Sequence, residues 1–95
     1  MKVVASSVNG MKMPHYERRM LVASRMKEAR LNSGLSQQHI ANQLHISQAT
    51  YSRMENAESE PSAIQLATLS GIYHLSILWL MGYPNFVVNA TKNNC

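Results

Sequence analysis

The chain has 95 residues, a net charge of +4 and a single cysteine, Cys95, at its end. A chain of this length supports one small domain with about 60–65% of its unfolded surface buried, and one cysteine allows no internal disulfide, which fits a reducing cytoplasm rather than a secreted scaffold. Residues 1–30 carry seven basic side chains (Lys2, Lys12, Arg18, Arg19, Arg25, Lys27 and Arg30) against Glu17 and Glu28, whereas residues 31–60 carry Arg53 against Glu55, Glu58 and Glu60, a distribution that points to an anionic partner met from one side.

Residues 1–13 hold only a short, broken apolar run behind Lys2 and read as a flexible arm, not a secretion signal. Pro14 suits the first position of a helix, and Met20, Ala23, Met26 or Lys27, and Arg30 follow at helical spacing until Asn32-Ser33-Gly34 supplies a stop. This pattern predicts a first helix over 15–32 with those residues inward. Ser36 is a good N-cap for a second helix of barely two turns, with Ile40, Ala41 and Leu44 inward.

At His45-Ile46-Ser47 the pattern breaks and restarts: Ser47 is another N-cap, and the apolar phase resumes at Tyr51, Met54 and Glu55 in a third helix. Helices this short do not persist alone in water, so Ile40, Leu44, Ile46, Tyr51 and Met54 must share one core. A fourth helix is predicted over 62–73, with Ile64 or Leu66, Leu69, and Ile72 or Tyr73 inward. A fifth follows over 76–81, closed by Gly82 and Pro84. Residues 64–81 approach the length of a membrane span, but Gln65, Thr68, Ser70, Gly71, His74 and Ser76 interrupt them, so two buried helices account for them better. The organisation is an arm over 1–13, an all-α domain over 14–83 and a short tail over 84–95.

If Tyr51, Met54 and Glu55 face the core, a pitch of about 3.6 residues per turn gathers Gln48, Ala49, Ser52 and Arg53 on the opposite face of the third helix. Gln pairs bidentately with adenine N6 and N7, Arg with guanine O6 and N7 or with phosphate, and the Ala methyl fits against thymine. The set reads as a base-contacting surface; its bland alternative is a solvated polar face. Helix N-termini and uncharged side chains also contact phosphates, so the near-neutrality of the segment is no objection.

Gly34-Leu35-Ser36-Gln37, Ile40-Ala41, Ile46-Ser47-Gln48, Ser52-Arg53-Met54-Glu55-Asn56 and Trp79-Leu80-Met81-Gly82, in this order, resemble the XRE-like helix-turn-helix domains of lambdoid phage repressors and Cro proteins. The likeness covers residues 25–82. It implies a compact five-helix, lambda-repressor-like domain that dimerises and binds double-stranded operator DNA. It places Gln37 and Asn56 against the DNA backbone, where Ser36, Ser47 and Thr50 join them. Lys12, Arg18 and Arg19 are expected to act as a basic arm along the duplex. The same domain type is similar to antitoxins that also bind a toxin protein and to controller proteins of restriction systems, which leaves repressor and antitoxin both open.

Arg30 and Glu55 fall on the inward sides of their helices, where a lone charge is costly, and are expected to pair, as the corresponding residues do in the resembling domains. The chain departs from the family pattern at His45 and Ala57, where Gly is frequent and the backbone can be left-handed. His39 stands where an acidic residue is common, and Tyr51, in place of an aliphatic, needs a hydrogen-bond partner if buried.

The fifth helix, Ile77-Leu78-Trp79-Leu80-Met81, has no polar face. The core can cover one side of it, through Leu80 and Ile77 or Trp79. Leu78, Met81, Tyr83 and Phe86 are then left as a homodimer interface. Neither an enzyme, a cofactor nor a metal site is expected: His15, His39, His45 and His74 are scattered, with no carboxylate or cysteine at ligand spacing.

Overall fold

The computed structural model describes residues 15–83; the arm over 1–13 and the tail over 84–95, with Lys12 and Phe86, lie outside the described residues. Five helices and no strand occur among the described residues: α1 His15–Asn32, α2 Gln37–Leu44, α3 Gln48–Glu55, α4 Ala63–Tyr73 and α5 Ile77–Leu80. The described residues are all-α, as their periodicity predicts.

Serine starts four of the five helices. Ser36 Oγ accepts from His39 N and Ser47 Oγ from Thr50 N, each at 3.0 Å. Ser62 Oγ accepts from Gln65 N at 3.1 Å while Gln65 Oε1 accepts from Ser62 N at 2.8 Å, a reciprocal capping box. Ser76 Oγ takes the amides of Leu78 and Trp79. Each cap satisfies an amide left without a helical partner and contributes about 1 kcal/mol. The stops are less comfortable: His45 (φ 60°), Ala57 (φ 64°) and His74 (φ 56°) are left-handed without being glycine. His45 follows α2, Ala57 follows the α3 cap Asn56, and His74 closes α4.

Tyr51, Met26, Ile40, Leu69 and Leu80 are the large fully buried side chains. They knit the helices together: α2 packs on α3, α4 on α5, and α1 crosses both pairs through α3 and α5. The inward stripe of α1 is Val22, Ala23, Met26, Ala29 and Arg30. Met20, expected inward, is 46% exposed instead. Spacing alone could not decide, because Met20, Leu21, Val22 and Ala23 are apolar in succession; packing against α3 and α5 selects the Val22 side. On α4, Leu66 and Leu69 face the core and Ile64 is 80% exposed. The fifth helix is shorter than expected, and of its residues only Leu80 is fully buried, with Ile77 and Trp79 packed part-way against the core.

Two arginines of α1 lock α5 in place. Arg25 Nη1 donates to the carbonyls of Trp79 at 2.6 Å and Tyr83 at 2.9 Å. Arg18 Nη1 donates to the Met81 carbonyl at 3.0 Å, and its guanidinium lies 4.9 Å from the centre of the Tyr83 ring. The Trp79 and Met81 carbonyls lie at the C-terminal end of α5, where cations are favoured, and Tyr83 follows two residues after the cap Met81. Burial lowers the Arg25 pKa from its ordinary value, against a smaller opposing effect of Glu28.

Candidate nucleic-acid interface

The turn at His45 sets α2 and α3 against each other and turns one side of α3 away from the core. Tyr51, Met54 and Glu55 are buried, whereas Gln48, Ala49 and Arg53 are exposed and Ser52 is half-buried. The four residues expected to read bases thus share the outer face. Around them lie the α2 cap Ser36, Gln37 in the first turn of α2, the α3 cap Ser47, Thr50, and Asn56 as the C-cap of α3. Ser47 Oγ also donates to Thr50 Oγ1 at 2.9 Å, which leaves the Thr50 hydroxyl proton pointed elsewhere.

Behind this face runs a chain of polar contacts into the core. Gln48 Nε2 donates to Gln37 Oε1 at 2.9 Å, and Gln37 Nε2 donates to Glu55 Oε1 at 3.0 Å. Arg30 holds the same carboxylate in a fork, with Nε to Oε2 at 2.7 Å and Nη2 to Oε1 at 3.1 Å. Its remaining Nη1 donates to the Leu35 carbonyl at 2.9 Å. Arg30 and Glu55 are 8% and 7% exposed, so the pair joins α1 to α3 inside the protein. Burial by itself would raise the Glu55 pKa, but the hydrogen bonds it accepts, that from Arg30 foremost, and the Arg30 charge outweigh it and hold the carboxylate below its usual range.

Two tyrosines complete the buried cluster. Tyr51 is fully buried, and neither its hydroxyl nor that of Tyr73 has a hydrogen-bond partner among the described residues. Burial is the main cause that raises both, Tyr51 far above the phenol range and Tyr73 up to about 12. Both therefore stay neutral beside Glu55.

Other expected site residues sit apart from this face. Arg18 and Arg19 belong to α1 itself: Arg18 is folded against Met81 and Tyr83, and Arg19 lies 5.8 Å from the centre of the Tyr16 ring. On α5, Leu78 is 38% exposed; after it, Met81 is half-buried and packs on the core, and Tyr83 is half-buried under Arg18. Sequence reasoning did not find the roles of Arg25 and Trp79 or the Gln48–Gln37–Glu55 chain. No local spacing announces them, because each contact joins residues between 11 and 58 positions apart.

Two short capped helices around a tight turn, the second with a polar outer face, define a helix-turn-helix DNA-binding domain. The profile of the helix-turn-helix family matches residues 26–80, more than half of the chain, and the chain belongs to that XRE-like family of DNA-binding regulators. Comparison with curated proteins and with solved structures finds no significant match. Among the described residues, no helix is long and apolar enough to cross a membrane.

Proposed function

We propose that this regulator is a prophage-type repressor that binds an inverted-repeat operator as a homodimer in the bacterial cytoplasm. The observation that carries this reading is the outer face of α3, where Gln48, Ala49, Ser52 and Arg53 present amide, methyl, hydroxyl and guanidinium groups suited to base edges in the major groove. Ser36, Gln37, Ser47, Thr50 and Asn56 flank that face and fix its register on the phosphates. A second copy of the chain covers Leu78, Met81 and Tyr83, and Phe86, which lies outside the described residues, is proposed to join the same interface. The two recognition helices then enter successive major grooves about 34–36 Å apart.

Selection from a pool of random duplexes, followed by gel-shift titration, tests the reading. Gln48→Ala should lose about 1–3 kcal/mol on the selected site and leave binding to random DNA nearly intact, and Arg53→Ala should lose more on the selected site than on random DNA. Equal losses on both would overturn base reading by α3. Sedimentation of the parent and of Leu78→Glu tests the dimer: a parent that is monomeric at micromolar concentration, or a variant that still dimerises, removes this interface. A Leu78 face that stays free of a second copy would favour an antitoxin, which needs a surface for its toxin.

A further inference from the structure

Between the first turns of α1, the start of α4 and the end of α5 lies a half-open cavity of about 230 Å³. Its apolar walls are Val22 of α1, Pro61, Ala63 and Leu66 from the α4 side, and Met81, the C-cap of α5. The charged and titratable residues that line it are His15, Arg18, Arg19 and Glu60, all of them exposed or half-buried. Walls of this kind offer water few hydrogen bonds, so an apolar group that displaces the water gains affinity. An apolar cavity of about 150 Å³ already holds benzene. This one is large enough for a single ring with a small polar group attached.

The charge around the cavity selects the sign of that polar group. Arg18 and Arg19 stand against the single carboxylate of Glu60, which is itself in contact with His15 Nε2. Arg18 adds charge while its Nη1 donates to the Met81 carbonyl at 3.0 Å. Arg19 rests on Tyr16, 5.8 Å from the centre of the ring, and its Nε is buried without a hydrogen-bond partner among the described residues. A buried donor left unmet is costly. An anionic group seated here gives the Arg19 guanidinium the acceptor that the protein does not supply, and a carboxylate matches its planar fork.

We propose that this cavity binds a small apolar carboxylate, with its ring or short chain between Val22, Leu66 and Met81 and its carboxylate at Arg19. Such a ligand braces α1, α4 and α5 against one another. The site shares no residue with the outer face of α3 and does not depend on base reading.

The test uses the full chain with benzoate as the probe, followed by calorimetric titration and by the thermal midpoint. Benzamide, the same ring without charge, and acetate, the same charge without a ring, are the controls. Benzoate should saturate one site per chain and raise the thermal midpoint, with both controls weaker by roughly tenfold. Arg19→Met keeps an apolar stem and removes the charge; it should weaken benzoate by roughly tenfold and leave benzamide unchanged. Ala63→Phe, at the exposed first position of α4, extends a ring from the cavity lining and should abolish saturable binding of either ring compound. Circular dichroism checks that both variants fold, and the comparison of benzoate with its controls on the parent chain stands without them.

A parent chain that shows no saturation up to about 10 mM benzoate overturns the site. Equal binding of benzoate and benzamide overturns the choice of a carboxylate, and binding that survives Ala63→Phe in a folded chain puts the ligand elsewhere. Uptake of benzoate only after residues 1–13 are deleted also overturns the proposal, because it gives the cavity to the chain's own arm.

Discussion

Arg25 grips Trp79 twice: its Nη1 donates to the Trp79 carbonyl at 2.6 Å, and its guanidinium lies 4.7 Å from the centre of the Trp79 ring. With Arg18 on Met81 and Arg30 on Glu55, three basic side chains of α1 are bound within the protein. The positive N-terminal third is therefore less available to an outside anion than its charge implies. Much of that charge closes helix ends and joins α1 to α3 and α5.

The grip on Trp79 needs the planar fork of arginine as well as its charge. Arg25→Lys keeps the charge and should cost about 1–2 kcal/mol, and Arg25→Ala about 2–3 kcal/mol, as charge-assisted hydrogen bonds and the ring contact are lost. Urea unfolding followed by fluorescence reads this directly, because Trp79 is the chain's one tryptophan. An Arg25→Lys midpoint equal to the parent's would show that the carbonyl contacts contribute nothing to stability.

The buried ion pair makes an acid signature whose sign can be reversed. The folded-state pKa of Glu55 is depressed, so its contribution is full above the unfolded carboxylate value of about 4.3 and is lost as pH falls through the folded value. Arg30→Met removes the dominant favourable partner and leaves burial to raise that pKa. At neutral pH the variant should be about 3–5 kcal/mol less stable than the parent. Its deficit should shrink as pH falls toward 4, because a protonated Glu55 no longer needs Arg30. Denaturation midpoints of both chains between pH 3 and 8 check this, and a pH-independent difference would rule it out.

The left-handed stops offer gains in stability. A residue with a Cβ in this conformation costs about 1–2 kcal/mol, and replacing it with glycine returns roughly 0.5–1 kcal/mol of unfolded-chain entropy to the other side. Strain is the larger of the two. His45→Gly, Ala57→Gly and His74→Gly should each therefore raise stability by up to about 1 kcal/mol, measured as a higher thermal midpoint. His45 and His74 are exposed, so their side chains give up little packing, and Ala57 is the position where the gain should be smallest.

What could be read from the sequence was what is local. Ser36, Ser47, Ser62 and Ser76 mark helix starts because a cap joins residues two or three apart. The outer face of α3 follows from helical pitch once Tyr51 and Met54 are placed inside. Spacing misplaces Met20 on the inner face of α1 and leaves Ile64 or Leu66 open on α4, because apolar residues stand on several sides there and only packing chooses among them. Arg25–Trp79 and Gln37–Glu55 left no periodic signal, since their partners meet only after the helices have packed. Composition alone points to an anionic partner but does not show that Arg18, Arg25 and Arg30 are bound within the protein, for the same reason: charge can be counted in a sequence, but its partners are set by tertiary structure.

The same arrangement predicts how DNA binding responds to salt. Over residues 34–60, which hold α2, α3 and their turns, Arg53 is the only lysine or arginine, and Gln48, Ser52 and Asn56, proposed above to contact DNA, carry no charge with which to release counterions. Each phosphate neutralised by a cation contributes about −0.9 to the slope of log K against log salt on B-DNA. A dimer that engages Arg53, Lys2 and Lys12 from both copies should therefore show a slope of about −5. Deleting residues 1–13 removes both lysines and should flatten the slope to about −2 while the selected operator sequence stays the same. Fluorescence-anisotropy titrations between 50 and 200 mM salt distinguish the outcomes. An unchanged slope after deletion would mean that the arm touches no phosphate, and a parent slope near −10 would require cations of α1 such as Arg19 and Lys27 to reach the duplex as well.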